Sequence, residues 1–153
     1  MLFMKLSYFA LQTHEPELNL KQYTNTDIYR IFKRDRVHLA YKNIEVCGYY
    51  EVDKKGRESV VINSELRGLE HTRTLCHEGV HHYIDFPVTD EVVKLCRTMD
   101  VLQRRQDINA EVLSLIMIFP FYLLENFIKT GILPSDLEPY LAERLFILDY
   151  YGV

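Results

Sequence analysis

The chain has no tryptophan, only three cysteines in 153 residues, no excess of positive charge and no long apolar run. The missing tryptophan excludes nothing. The cysteines exclude a disulfide framework: Cys47, Cys76 and Cys96 are odd in number, widely spaced and free of any C-x-x-C pair. They read as free thiols in a reducing compartment, which makes the cytoplasm the expected location. Eighteen Lys and Arg against twenty-two Asp and Glu leave a formal charge of −4. That balance lacks the footprint of a direct nucleic-acid binder. The one basic cluster, Lys33, Arg34 and Arg36, is broken by Asp35 and reads as a solvated helix end. The longest apolar run, Val112 to Leu124, is interrupted by Pro120. It is shorter than the roughly 18–20 residues that span a bilayer. It predicts a buried core helix and its exit, with no membrane segment. The opening MLFMKLSYFALQ is split by Lys5 and has no small-residue cleavage site, so no signal peptide is expected.

What is present is ordinary for a globular protein: 48% hydrophobic and 26% charged residues. The length predicts a single domain over 1–153, able to bury a core without disulfides. No repeat or low-complexity linker divides it. Residues 1–23 are ambiguous. Asn25 or Thr26 caps a helix to about Asp35, with Ile28, Ile31 and Phe32 on one side. Val37 to Tyr41, Val46 to Val52 and Ser59 to Asn63 read as strands. Asp53-Lys54-Lys55-Gly56 turns the last two into a hairpin, and the first joins them in a small three-stranded antiparallel sheet. Helices follow from about Glu70 to Tyr83, from an Asp90 cap through Val92, Val93, Leu95 and Cys96, from about Val101 to Ile118, and from about Leu137 to Leu148. The expected class is α+β, with sheet and helices segregated along the chain.

The segment Thr74 to His82 contains H-E-x-x-H as His77, Glu78 and His81. Residues i and i+4 share a helix face, so both imidazoles can converge on one tetrahedral zinc ion. Glu78, beside the first ligand, can reach a metal-acidified water and take its proton during attack on a carbonyl. A third ligand is needed downstream. In the next helix Asp107 and Glu111 are again four apart and face one way, while Val112, Leu115, Ile116 and Phe119 bury the helix. One carboxylate completes a His, His, carboxylate site. The other bonds a ligand histidine and sets its tautomer.

Taken together, Gly48-Tyr49-Tyr50, Val61-Ile62-Asn63, Arg73 to His82, Asp107-x-x-Ala110-Glu111 and Phe119-Pro120 resemble the ImmA/IrrE metallopeptidases. Their members typically show a G-x-Y strand, an I-x-I-N strand, an H-E-x-G-H helix and an E-x-x-A-N helix that ends near a proline. The likeness covers about 25–120, with a helical tail over 121–153 and a weaker echo in Glu143-Arg144-Leu145. It implies a minimal zincin-like fold: an N-terminal helix, the small sheet, an active-site helix, a third-ligand helix and C-terminal helices. It also implies a gluzincin-like zinc endopeptidase that cleaves a helix-turn-helix repressor of a phage, mobile element or stress regulon. By position, His77 and His81 are zinc ligands and Glu78 the base. The family's third-ligand Glu aligns with Asp107, one methylene shorter, and its following Asn or Asp with Glu111, the alternative ligand. Val80 replaces the usual glycine, and Gly79 stands one place earlier.

Other residues carry weaker expectations. His82 is a candidate substrate or transition-state contact, against an ordinary helix-surface histidine. Asp85 is a candidate for orienting a histidine. Cys76 reads as a buried apolar residue. Ser59 to Ile62 is the candidate sheet edge nearest the cleft, where a substrate segment would pair by its main chain. The competing function is a non-catalytic regulator that keeps the fold and binds a repressor or toxin partner.

Overall fold

The structure is a computed structural model that describes residues 2–84 and 99–153, with side chains over 4–84 and 104–153. Its class is α+β, as expected. The ambiguous opening forms a helix, α1 (Leu2–His14). Met4 and Leu11 are buried, as are Leu18 and Tyr23 in the segment that follows. The second helix, α2 (Asn25–Asp35), is capped one residue earlier than expected. The Thr24 hydroxyl accepts from the Asp27 amide, and the Asp27 carboxylate accepts from the Thr24 amide. This reciprocal box satisfies two amide donors that have no partner within the helix. Ile28, Ile31 and Phe32 form its buried face, as their spacing requires. Lys33 and Arg34 are exposed in its last turn, and Arg36 caps it with φ of 60°.

The three strands are β1 (His38–Lys42), β2 (Gly48–Val52) and β3 (Glu58–Asn63). The β2–β3 hairpin turns at Asp53–Gly56 and is antiparallel, with Tyr50 opposite Val60. The sheet as a whole is not antiparallel. Its order is β1-β3-β2, and β1 runs parallel to β3, with Ala40 beside Val61. Burial accounts for the order. β3 carries Val60, Val61 and Ile62, all buried, whereas β1 and β2 are half-exposed. The most apolar strand takes the centre, where both neighbours cover it. The loop from β1 to β2 crosses the sheet end and is held by Asn63, whose side chain donates to the Ile44 carbonyl and whose amide donates to Cys47. β3 is therefore not the cleft-side edge. That edge is β2.

The long helix α3 (Gly68–Ile84) packs against the sheet, against α2, and against α4 (Met99–Ile118). A Cβ built on Gly79 would stand 3.2 Å from the Phe32 ring, so the glycine lets α2 lie close to α3. The Asp90-capped helix, Asp85 and Cys96 lie outside the described residues. Pro120 ends α4 as expected, but the chain then starts another helix, α5 (Phe121–Thr130), where only an exit was anticipated. The final helix begins later than the sequence suggests. A short 3-10 helix, Glu138–Tyr140, precedes α6 (Leu141–Tyr151). No single helix among the described residues is long and apolar enough to cross a membrane. The α4–α5 pair passes that length and composition test only together, bent by 62°, and α4 is a core helix here.

Candidate metal centre

The candidate centre sits where α3 and α4 face each other beside β2. His77 and His81 lie one turn apart, and their Nε2 atoms are 3.3 Å apart. A tetrahedral zinc with arms of about 2.0–2.1 Å requires donor–donor edges of about 3.3 Å. The two imidazoles already hold that spacing. Donor atoms of His77, Glu78 and His81 all lie within 4.8 Å of one another. Glu78 is only 6% exposed and His81 8%, so a carboxylate and an imidazole are withdrawn from water at this point. The Tyr50 ring of β2 lies nearly parallel to the His81 ring, 6.1 Å between centroids and 12° between planes.

The carboxylates of α4 differ in position. Asp107 Oδ1 is 3.7 Å from His81 Nε2, the nitrogen that faces His77. Glu111 Oε1 is 3.5 Å from His77 Nδ1, the nitrogen that does not face His81. Both carboxylates thus approach the histidines from α4, one toward the shared Nε2 position and one behind it. They are more exposed than the histidines, at 57% and 55% of their side chains.

His82 is directed elsewhere. Its Nδ1 is 2.6 Å from Glu58 and its Nε2 is 3.2 Å from Asp35. Both ring nitrogens are taken by carboxylates, so the structure gives His82 a bridging place between α2 and β3 rather than a position facing the Nε2 pair. Glu58 also accepts from the Tyr50 hydroxyl at 2.5 Å. Asp35 further accepts from Arg34 and Tyr83, and the Arg34 guanidinium holds its carboxyl well below the usual range. Cys76 is fully buried, as expected, and burial pushes its thiol up.

A cleft of about 340 Å³ opens onto His77, Glu78 and Glu111. Its other walls include Cys47 and Gly48 at the start of β2, Glu70 and Arg73 on α3, and Tyr140. In the sequence, Arg73 and, on α6, Glu143 enter only as parts of the family likeness, neither with a role at the site, and Tyr140 is not singled out. Arg73 Nη2 donates to Glu111 at 3.0 Å and to Glu143 at 2.8 Å, and its guanidinium lies 5.1 Å from the Tyr140 ring centroid. The spacing of Arg73, four residues before His77, was a legible sign that it shares the face of the two histidines. No local spacing brings Tyr140 or Glu143 to this cleft; both arrive from far along the chain. Burial raises the Tyr140 hydroxyl above its ordinary value, so it is a neutral phenol at physiological pH.

No family model matches the chain, and no curated protein or solved structure matches it either.

Proposed function

We propose that the chain is a zinc-dependent endopeptidase of the ImmA/IrrE kind. The observation that carries this reading is the 3.3 Å Nε2–Nε2 spacing of His77 and His81 with Glu78 buried beside them. His77, His81 and Asp107 are the ligands in this reading. Bound zinc would acidify a water and polarise a scissile carbonyl. Glu78, buried beside the pair, would act as the base that takes a proton from the attacking water and as the acid that returns it to the leaving amine. Glu111 stands 3.5 Å from His77 Nδ1, placed in this reading to orient the ring with Nε2 toward the metal.

The substrate in this proposal is a protein, with a helix-turn-helix repressor as the candidate. The edge of β2 offers it a main-chain site. Asp53 pairs with Arg57 and Cys47 with Asn63 through hydrogen bonds. Antiparallel alternation then turns the backbone groups of Gly48, Tyr50 and Val52 outward, toward a strand that could be added.

Glu78→Gln is expected to bind zinc like the wild type while cleavage falls by about 10²–10⁴-fold, the usual worth of a general base. Mass spectrometry of a co-purified repressor, with zinc measured on the same samples, checks both. Cleavage by the variant at the wild-type rate removes the proposal. One observation favours a second reading, a regulator that holds its partner without cutting it: Asp107 stands 3.7 Å from His81 Nε2, wider than a zinc edge. Zinc well below one equivalent, unrestored by added metal, would select it.

A further inference from the structure

Two carboxylates one turn apart on α4 compete for one ligand place, and Arg73 bears on the outcome. It sits one turn before His77, on the same face of α3. Its side chain is 18% exposed and is held from three directions: by Glu111 of α4, by Glu143 of α6 and by the Tyr140 ring. The two oxygens of Glu111 are thereby divided. Oε2 accepts from Arg73 at 3.0 Å, and Oε1 stands 3.5 Å from His77 Nδ1. These approaches are to Arg73 and to Nδ1, on the other side of the ring from the Nε2 pair. To reach the metal position, Glu111 would have to leave a charge-assisted bond that is stronger than a neutral one. Arg73 cannot follow, because Glu143 and Tyr140 anchor it. Asp107 has no such restraint among the described residues and already approaches His81 Nε2.

We infer that Arg73 is a positioning residue: it withholds Glu111 from the metal and so assigns the third ligand place to Asp107. This rests on the zinc-site reading above. The physical content is a choice between two ligands, set by a cation that holds one of them by a charge-assisted bond.

The test titrates zinc alone into the metal-free full chain against a competing chelator. D107N is expected to lose at least about 100-fold in zinc affinity, more than an outer partner usually costs. R73M/D107N is expected to recover about tenfold or more, because the released Glu111, with 55% of its side chain exposed, swings to the metal. Adding E111Q to that pair should abolish the recovery. Cobalt in place of zinc gives a second readout, since its visible bands report the ligand set and should differ between wild type and R73M/D107N. If R73M does not fold by circular dichroism, R73K/D107N serves: the lysine side chain is one bond shorter, so its ammonium falls short of the place from which Nη2 reaches both carboxylates, and partial recovery is expected. The inference is overturned if R73M/D107N, or R73K/D107N in its stead, binds zinc no tighter than D107N. It is also overturned if E111Q alone abolishes binding while D107N does not, a result that leaves the zinc site itself intact. A wild-type chain that takes up no zinc fails the functional reading first.

Discussion

Asp35 shows how one carboxylate can organise a flank of the site. It accepts from Arg34, from the Tyr83 hydroxyl at 2.7 Å and from His82. Because Arg34 keeps it ionised in the folded chain, the folded pKa lies below that of the unfolded chain, about 3.9. The sign follows. Above that pH the ionised form contributes stability, and the contribution is lost as pH falls below about 3.9 toward the lower folded value. Asp35→Asn should therefore lower the melting temperature at pH 7, and the gap from wild type should close as melts are run toward pH 3. At this scale the sequence was informative in part. The spacing of His77 and His81 dictated their convergence, and the alternation of Asp107 and Glu111 dictated a shared face. The partners of His82 were not legible, because Asp35 and Glu58 lie 47 and 24 residues away and only folding brings them to it.

Elements place the site by how closely they approach. β2 is wedged between β3 and α3 at Gly48, where an added Cβ would meet the Val61 carbonyl oxygen at 3.0 Å and Thr74 Cγ2 at 3.1 Å. The first of these is backbone and cannot turn aside. Gly48→Ala should cost roughly 1–3 kcal/mol in urea unfolding, the range for overpacking. It should also weaken zinc binding, since β2 carries the Tyr50 ring that lies along His81. The strands themselves were legible from their β-branched and aromatic runs, and the helices α2, α3 and α4 from their apolar spacing. Strand order was not. A short β1-to-β2 loop suggests neighbours, but β3 is the most buried strand and takes the place between them. Likewise α5 was not anticipated: Pro120 was read only as the end of an apolar run, whereas here it also stands at the head of the next helix.

At the scale of the molecule, one core runs from Met4 in α1 to Ile147 in α6, so the tail over 121–153 is part of the same packing unit as the candidate centre. Arg144 ties it in. Fully buried, it donates to the Phe119 carbonyl, the Asn19 side chain and the Val153 carbonyl. Arg144→Met should destabilise the chain by about 3 kcal/mol or more, because buried acceptors are left unsatisfied. Chemical denaturation followed by circular dichroism measures this. By itself the sequence determined the α+β class, the helix that carries His77, Glu78 and His81, and the second helix that supplies two carboxylates. These follow from periodicity, which acts over a few residues. Only the tertiary structure decided which strand lies beside the cleft, which way each carboxylate turns, and that Arg73, Tyr140 and Glu143 meet there. Those are contacts across long stretches of chain, and they are set by competition for burial and charge partners that no local spacing records.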